Sequence, residues 1–332
     1  NDPDIRTVVQ VAPAVRVAIG EEFGLPTGEA ATGKLATALK EMMFDDIFDT
    51  NFAADLTIME EGSELLERVS AAVKTGKAVL PMITSCSPGW IKYLEHHYPD
   101  RTANLSTCKS PHMMMGAVIK SYYANKLGID PHKIFVVSVM PCTAKKFEID
   151  RPEMENDGLR NVDAVITTRE LARMIREAGI DFENLQPSDF DQPLGISTGA
   201  ADIFGVTGGV MEAAIRTVYE LVTGRELPLA QLKAEPDKER ALTKRAEVTF
   251  ENCLPSYAFL EGFTAKVAVT SGFQGAKALL DEVGRGEGDY HFIEVMGCPG
   301  GCVTGGGQPR IAVQNAWASR AQGLYNVDMS KK

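Results

Sequence analysis

Short apolar runs alternate with stretches of helical spacing along nearly the whole chain. Residues 6–24, RTVVQVAPAVRVAIGEEFG, begin as an apolar strand and become helical after Pro13, a residue that suits the first turn of a helix. Residues 34–50 carry apolar side chains at helical spacing. Residues 54–77 read as a short strand, a loop and a helix ending near Gly76, and residues 78–99 as strand, tight turn and helix. A helix is predicted over 109–128, a buried strand running into a turn over 133–146, and a strand then a helix over 163–179, with Thr168 or its neighbour as cap. Residues 185–199 form a long polar loop, and the helix over 208–224 is stopped by Gly224. Strands are predicted over 247–253 and 265–272, a helix over 273–286, and a last buried strand over 290–298.

This alternation predicts parallel sheets covered by helices, an α/β architecture. Ligands in such folds gather at the carboxyl ends of the strands. Three cysteines sit at those ends: Cys86 after VLPMITS, Cys142 after FVVSVMP and Cys298 after HFIEVMG.

Composition narrows the picture. The chain has 332 residues, 44% hydrophobic and 24% charged, the balance of a soluble globular protein with room for a proper core. Its longest apolar runs are too short to span a bilayer, and the N-terminal NDPDIRTVV has neither a basic nor an apolar leader region. A formal charge of −11 argues against a nucleic-acid partner. The expected compartment is the cytoplasm, where the six cysteines, at 86, 108, 142, 253, 298 and 302, stay reduced. Reduced thiols point to metal binding, nucleophilic chemistry or burial.

EVMGCPGGCVTGGGQP, residues 294–309, sets two cysteines four apart among glycines. Pro299, Gly300 and Gly301 exclude a regular helix between them and predict a loop whose backbone N–H groups face anionic sulfur. Structural zinc prefers two close CxxC pairs, and the chain has none. One CxxxC with dispersed single cysteines suits an iron–sulfur cubane better. Cys108 and Cys253 fit no motif and read as buried or incidental.

TSCSPGW (84–90), MPCTAKKFE (140–148) and EVMGCPGGCVTGGGQP together closely resemble the three signature segments of the iron-only, or FeFe, hydrogenases. The resemblance extends through VAPAVRVAIGEEF, NLSTCKSPHMM, DAVITTRELARMI and IFGVTGGVMEAA, so it covers nearly the whole chain. It implies two α/β lobes, each with a small, largely parallel sheet flanked by helices, and an active-site cluster in the cleft between them. That H-cluster is a 4Fe-4S cubane bridged by a cysteine to a two-iron subcluster with CO, CN and azadithiolate ligands.

Residue by residue, the resemblance makes Cys142, Cys298 and Cys302 cubane ligands, with Cys302 bridging to the two-iron unit. Lys145 matches the lysine that holds a cyanide, Met140 and Met296 the methionines packed against the two-iron unit, and Pro13 and Ala14 the other cyanide-contacting turn. Many relatives carry serine where this chain has Ala14, so only the backbone N–H remains there. The proton relay maps to Cys86, Ser106, Glu61, Glu64 and Arg68. Glu61 and Glu64, three apart at the start of a helix, share a face, and Arg68 pairs with Glu64.

One departure matters. The family's first segment has adjacent cysteines, the first a relay group and the second a cubane ligand, and here the second position is Ser87. Either Cys86 relays protons and the fourth thiolate is missing, or Cys86 ligates the cubane and Ser87 serves the relay.

The implied activity is reversible hydrogen oxidation and proton reduction. Electrons would be exchanged with ferredoxin or with NADH-linked hydrogenase subunits, an arrangement to which Ala14 points. The alternatives are a hydrogen sensor or iron–sulfur assembly protein on the same scaffold, or a form disabled by Ser87. The resemblance also implies that accessory iron–sulfur domains and a C-terminal helical segment lie outside this chain.

Overall fold

The computed structural model describes residues 2–228, 235–236 and 243–331. In chain order the strands are β1 Arg6–Val11, β2 Asp46–Asp49, β3 Met82–Thr84, β4 Ile134–Met140, β5 Glu155–Asn156, β6 Leu159–Arg160, β7 Ala164–Thr167, β8 Glu235–Pro236, β9 Thr243–Thr249, β10 Thr264–Ser271 and β11 Phe292–Met296. The first helices are α1 Pro13–Arg16, α2 Thr32–Glu41, α3 Asn51–Thr75, α4 Pro88–His97, α5 Pro111–Val118 and α6 Ala124–Leu127. They are followed by α7 Lys145–Glu148, α8 Thr168–Glu177, α9 Gly209–Thr223, α10 Phe273–Gly284 and α11 Ala316–Ser330.

Two compact units share these elements. The first comprises Asn1–Leu56, Lys109–Val206 and Cys302–Lys332, the second Thr57–Cys108 and Thr207–Gly301. The first unit is built on a wholly parallel sheet in the order β2-β1-β4-β7. Leu35 and Leu39 of α2, Met113 and Met115 of α5, and Leu171 and Ile175 of α8 pack on its valines and isoleucines. α8 begins with a capping box in which Thr167 and Glu170 satisfy each other's backbone N–H groups, so the cap is the neighbour of Thr168.

The second unit is built on the sheet β3-β11-β10-β9-β8. β3, β11 and β10 are parallel, and β9 and β8 extend the sheet antiparallel. Leu65 and Val69 of α3 and Met211, Ile215 and Val218 of α9 join one core cluster with Val267, Val269 and Phe292. Trp90 and Leu94 of α4 and Leu279 and Leu280 of α10 join another with Ile83, Ile293 and Val295. Apolar strands buried in this way are what the unbroken runs predict, and the α/β reading with small, mostly parallel sheets holds.

Two local expectations are corrected. Residues 54–77 are no strand and loop: α3 runs as one helix through Gly62, which lies against Val218, and packing of Leu65 and Val69 overrides the local break. Glu61 and Glu64 therefore lie within α3, not at its start. The helical spacing over 34–50 ends early. α2 stops at Glu41, Met43 takes a left-handed φ of 60°, and Asp46–Asp49 becomes a strand because Ile47 and Phe48 pair with β1.

Candidate active site

In the first unit, β1 and β4 end side by side, with Val11 opposite Val139 and the N–H of Ala12 donating to the carbonyl of Val139. The Pro13–Ala14 turn and the Pro141–Cys142 turn thus leave the sheet at the same end. The glycine-rich loop closes over them. Gly307 donates to the Pro141 carbonyl at 2.7 Å, and a Cβ on Gly305 would stand 2.2 Å from that same oxygen. Only glycine lets backbone meet backbone so closely. Gln308, buried, donates through Nε2 to the carbonyls of Ala14 (2.8 Å) and Cys302 (3.5 Å) and accepts from Thr168 Oγ1 at 2.7 Å. Cys302 packs against the small apolar cluster of Ala14, Val17, Val303 and Leu324. Pro13, Ala14, Cys142, Cys302 and buried Met140 are therefore tied to one end of one sheet.

Lys145 follows Cys142 on α7, and its side chain is only 9% exposed. Nζ donates to Glu148 Oε2 at 2.7 Å, and His112 Nε2 reaches the same oxygen at 2.6 Å. Burial pushes the Glu148 carboxyl up, but Lys145 and His112 outweigh it and hold the group at about 2. Burial and then the Lys145 charge push His112 down, toward the neutral imidazole.

In the second unit, β3 ends at Thr84 beside Glu294, and β11 runs two residues further to Met296. Cys86 and Ser87 follow one strand, Gly297 and Cys298 the other. A Cβ on Gly297 would meet Ser87 Oγ at 2.2 Å, so the serine side chain lies against the backbone just before Cys298. Cys86 lies close enough to Glu61 and Glu294 that a thiolate there would push both carboxyls further up. Gly300 and Gly301 take left-handed φ values of 87° and 97°, which break any helix between Cys298 and Cys302 as the sequence predicted.

Glu61 reaches in from α3 and is fully buried, with both carboxylate oxygens 2.6 Å from Thr84 Oγ1. Burial pushes it up to about 7, against hydrogen bonds from Thr84 and Ser106. Ser106 Oγ is 3.4 Å from Glu64 Oε2, which also accepts from the backbone and hydroxyl of Thr107. Arg68 Nη2 donates to Glu64 Oε1 at 2.5 Å, and both side chains are 16% exposed. The predicted relay residues thus stand together in one unit, in a line from the Cys86 turn to the protein surface.

Sequence reasoning missed several partners. Glu294 is fully buried in β11 and caps α9: Oε1 accepts from Gly208 N at 2.8 Å and Oε2 from Met211 N at 2.7 Å. Burial pushes it up to about 7. Its signal was present as a lone carboxylate within the apolar run FIEVM. His112, Glu148 and Gln308 left only polar letters inside recognised motifs. Cys108 is half-buried rather than buried; burial first, then the Glu61 charge, pushes its thiol up to about 12. Cys253 is half-buried too.

Among the described residues, no three His, Cys, Asp or Glu side chains converge as the ligands of a single metal ion do. A cubane is wider than an ion and takes thiolates from dispersed loops. Cys142 and Cys302 of the first unit and Cys298 of the second are each half-buried and outside any disulfide, and Gly297 and Gly301 adjoin Cys298 and Cys302. Reduced, half-buried thiols of this kind suit an iron–sulfur group. No described helix is long and apolar enough to cross a membrane.

Comparison with known proteins agrees. A family profile described as "Iron only hydrogenase large subunit, C-terminal domain" matches residues 5–306. The chain is 51% identical over 335 residues to the NADP-reducing hydrogenase subunit HndD of Solidesulfovibrio fructosivorans, covering 99% of this chain and 54% of that protein. It is 48% identical to the periplasmic Fe hydrogenase large subunit of Nitratidesulfovibrio vulgaris, covering 93% of this chain and 70% of that protein. It is also 32% identical to the cytosolic Fe-S cluster assembly factor narfl of Danio rerio, covering 91% of this chain and 71% of that protein. A variant of the FeFe-hydrogenase HydA1 from Chlamydomonas reinhardtii superposes with a TM-score of 0.88 at 42% identity, covering 100% of this chain and 86% of that one. The chain therefore belongs to the family formed by the C-terminal domain of iron-only hydrogenase large subunits.

Proposed function

We propose that this chain is the H-cluster domain of a working hydrogenase, oxidising hydrogen and reducing protons reversibly. The observation that carries this reading is the line Cys86, Glu61, Ser106, Glu64, Arg68. A scaffold that only stores or hands on iron and sulfur has no need of buried, hydrogen-bonded acids leading to the surface. Cys142, Cys298 and Cys302 are the thiolates that would hold the iron–sulfur group. Lys145, Met140, Met296 and the Pro13–Ala14 turn would contact the two-iron unit. When bound, that group supplies the redox chemistry of hydrogen at iron.

The chain's own residues move protons and hold anions. Glu61, near 7, exists in both protonation states at neutral pH, so it can take a proton from Ser106 and pass it toward Cys86. Arg68 fixes the outer carboxylate of Glu64. Lys145 offers a dry ammonium to an anionic ligand, a charge-assisted contact roughly twice as strong as a neutral one.

Of the two assignments for the first motif, we favour Cys86 in the relay and Ser87 at the fourth cubane position. The support is that Ser87 Oγ lies against Gly297, while Cys86 lies near Glu61 and Glu294. Electrons pass to ferredoxin or to nicotinamide-linked subunits. The Solidesulfovibrio relative's name, an NADP-reducing hydrogenase subunit, supports the second.

The test is anaerobic reconstitution with iron, sulfide and a synthetic two-iron azadithiolate complex, read by infrared spectroscopy and a hydrogen assay. CO and CN bands with turnover bear the proposal out. A brown protein that binds a cubane but takes up no two-iron unit would instead fit the assembly-factor relatives. A colourless one would mean that Ser87 has disabled the site.

A further inference from the structure

Lys145 is a buried ammonium, and burying a charge is costly unless it is paired and hydrogen-bonded. It pairs with Glu148, three residues on in the same short helix. One turn of helix is a weak anchor, yet the carboxylate is not left to hold itself. His112 Nε2 meets the same oxygen at 2.6 Å, and His112 Nδ1 stands 3.1 Å from Ser138 Oγ on β4. The carboxylate accepts, so Nε2 carries the proton and Nδ1 accepts from the serine hydroxyl. The backbone of His112 is tied in turn: its carbonyl accepts from Gln10 Nε2 of β1 at 2.8 Å, and Gln10 Oε1 accepts from Thr50 at 3.0 Å. Glu148 is thus fixed to α5, β4 and, through them, β1.

We propose that Glu148, backed by His112 and Ser138, is the positioning residue that keeps the Lys145 ammonium charged and oriented for a small anionic ligand. The assignment of that ligand rests on the hydrogenase reading; the pairing does not. A neutral His112 adds direction without a second positive charge, so Lys145 and Glu148 stay a balanced pair. The carboxylate, held far below its usual range, stays ionised at any working pH. Ala14 adds weight to Lys145, because the Pro13–Ala14 turn has no side-chain hydroxyl to donate.

The test uses the cofactor-free chain labelled with 13Cε-lysine, with the Lys145 resonance assigned by its loss in Lys145→Arg. Glu148→Gln should lower the Lys145 titration midpoint by about one pH unit or more, as expected for an ammonium losing its buried counter-ion. Glu148→Asp keeps the charge but withdraws it by one methylene and should shift the midpoint by less. A midpoint that neither variant moves, in chains whose circular dichroism is unchanged, overturns the proposal. If Glu148→Gln does not fold, Glu148→Asp decides. A second readout is uptake of the synthetic two-iron complex by the cubane-loaded chain. Glu148→Gln should slow it at least tenfold and move the CN stretching bands. If the unmutated chain takes up no complex but the midpoint still moves, the hydrogenase reading fails and the positioning role stands.

Discussion

Ser87 is the residue on which the chemistry turns. Its Oγ occupies the space a Cβ on Gly297 would need, beside Cys298. A serine hydroxyl ligates iron poorly unless ionised, whereas a thiolate does so readily. Ser87→Cys should therefore raise the iron retained after gel filtration of the reconstituted protein, toward four per chain from the cubane alone. An unchanged iron content would move the fourth ligand to Cys86. Glu61 makes a prediction with a sign. Its carboxyl is raised from 4.5 to about 7, so between those values the folded chain holds a proton that the unfolded chain has lost. Stability must fall as pH rises through that window, by about 3 kcal/mol for this group. Glu61→Gln removes the contribution, and urea titrations at both ends of the window should differ less in the variant. Glu294 shares the direction and range of the shift, so part of the slope remains. Under the proposed function, the same variant of the cluster-loaded chain should cut turnover about 100-fold or more, the usual cost of losing a proton-transfer group.

At the scale of elements, strand ends do most of the positioning. β1 and β4 deliver the Pro13 and Cys142 turns, and β3 and β11 deliver the Cys86 and Cys298 turns, because parallel strands in register end together. This much was legible in the sequence, since buried strands of a parallel sheet read as unbroken apolar runs that stop at a motif. What was not legible is what packing decides. Gly62 looks like a break and is a contact point within α3. Asp46–Asp49 looks like a helix tail and is a strand, because its pairing partner lies some forty residues away. Glu61, Ser106, Glu64 and Arg68 were singled out through motif likeness, but Thr84, which holds Glu61, had no signal of its own. Glu294 belongs to this scale as well, since a carboxylate on a strand caps a helix. Glu294→Ala leaves the N–H groups of Gly208 and Met211 buried without an acceptor and should destabilise the second unit by about 2–4 kcal/mol. Glu294→Gln, which keeps one acceptor, should lose about half of that. Chemical denaturation followed by tryptophan emission from buried Trp90 reads both.

At the scale of the molecule, each unit is closed by segments far apart in sequence. β3 pairs with β11, and the first unit is completed by Cys302–Lys332. Arg320 on α11 shows what that last segment does. It grips Glu21 with Nε and Nη2, at 2.8 and 2.5 Å, and donates to the carbonyls of Val303 and Pro309. One buried guanidinium therefore fastens the loop after Cys302 to the beginning of the chain. Removing it strands Glu21 without its buried partner, a loss of about 3–5 kcal/mol. Arg320→Met should lower the melting temperature and also release iron faster from the reconstituted protein. A melting shift with unchanged iron release would mean that the loop holds its shape without α11. The family was legible from three short motifs, whereas which segments make up each of the two units was not, because it depends on which distant segments pair.

The closeness of Gly305 and Gly307 to Pro141 and Thr167 has a consequence for how such proteins diverge. These positions matter because they carry nothing: a single methyl group at Gly305 would collide with a carbonyl oxygen. Their constraint comes from the tight loop, not from any reaction, so it should outlast the chemistry. A descendant that lost Lys145 or the relay acids but still folded this loop would keep both glycines. Side chains such as Lys145 and Glu61 would record whether the proposed activity is still selected, and the glycines record only that the loop still closes.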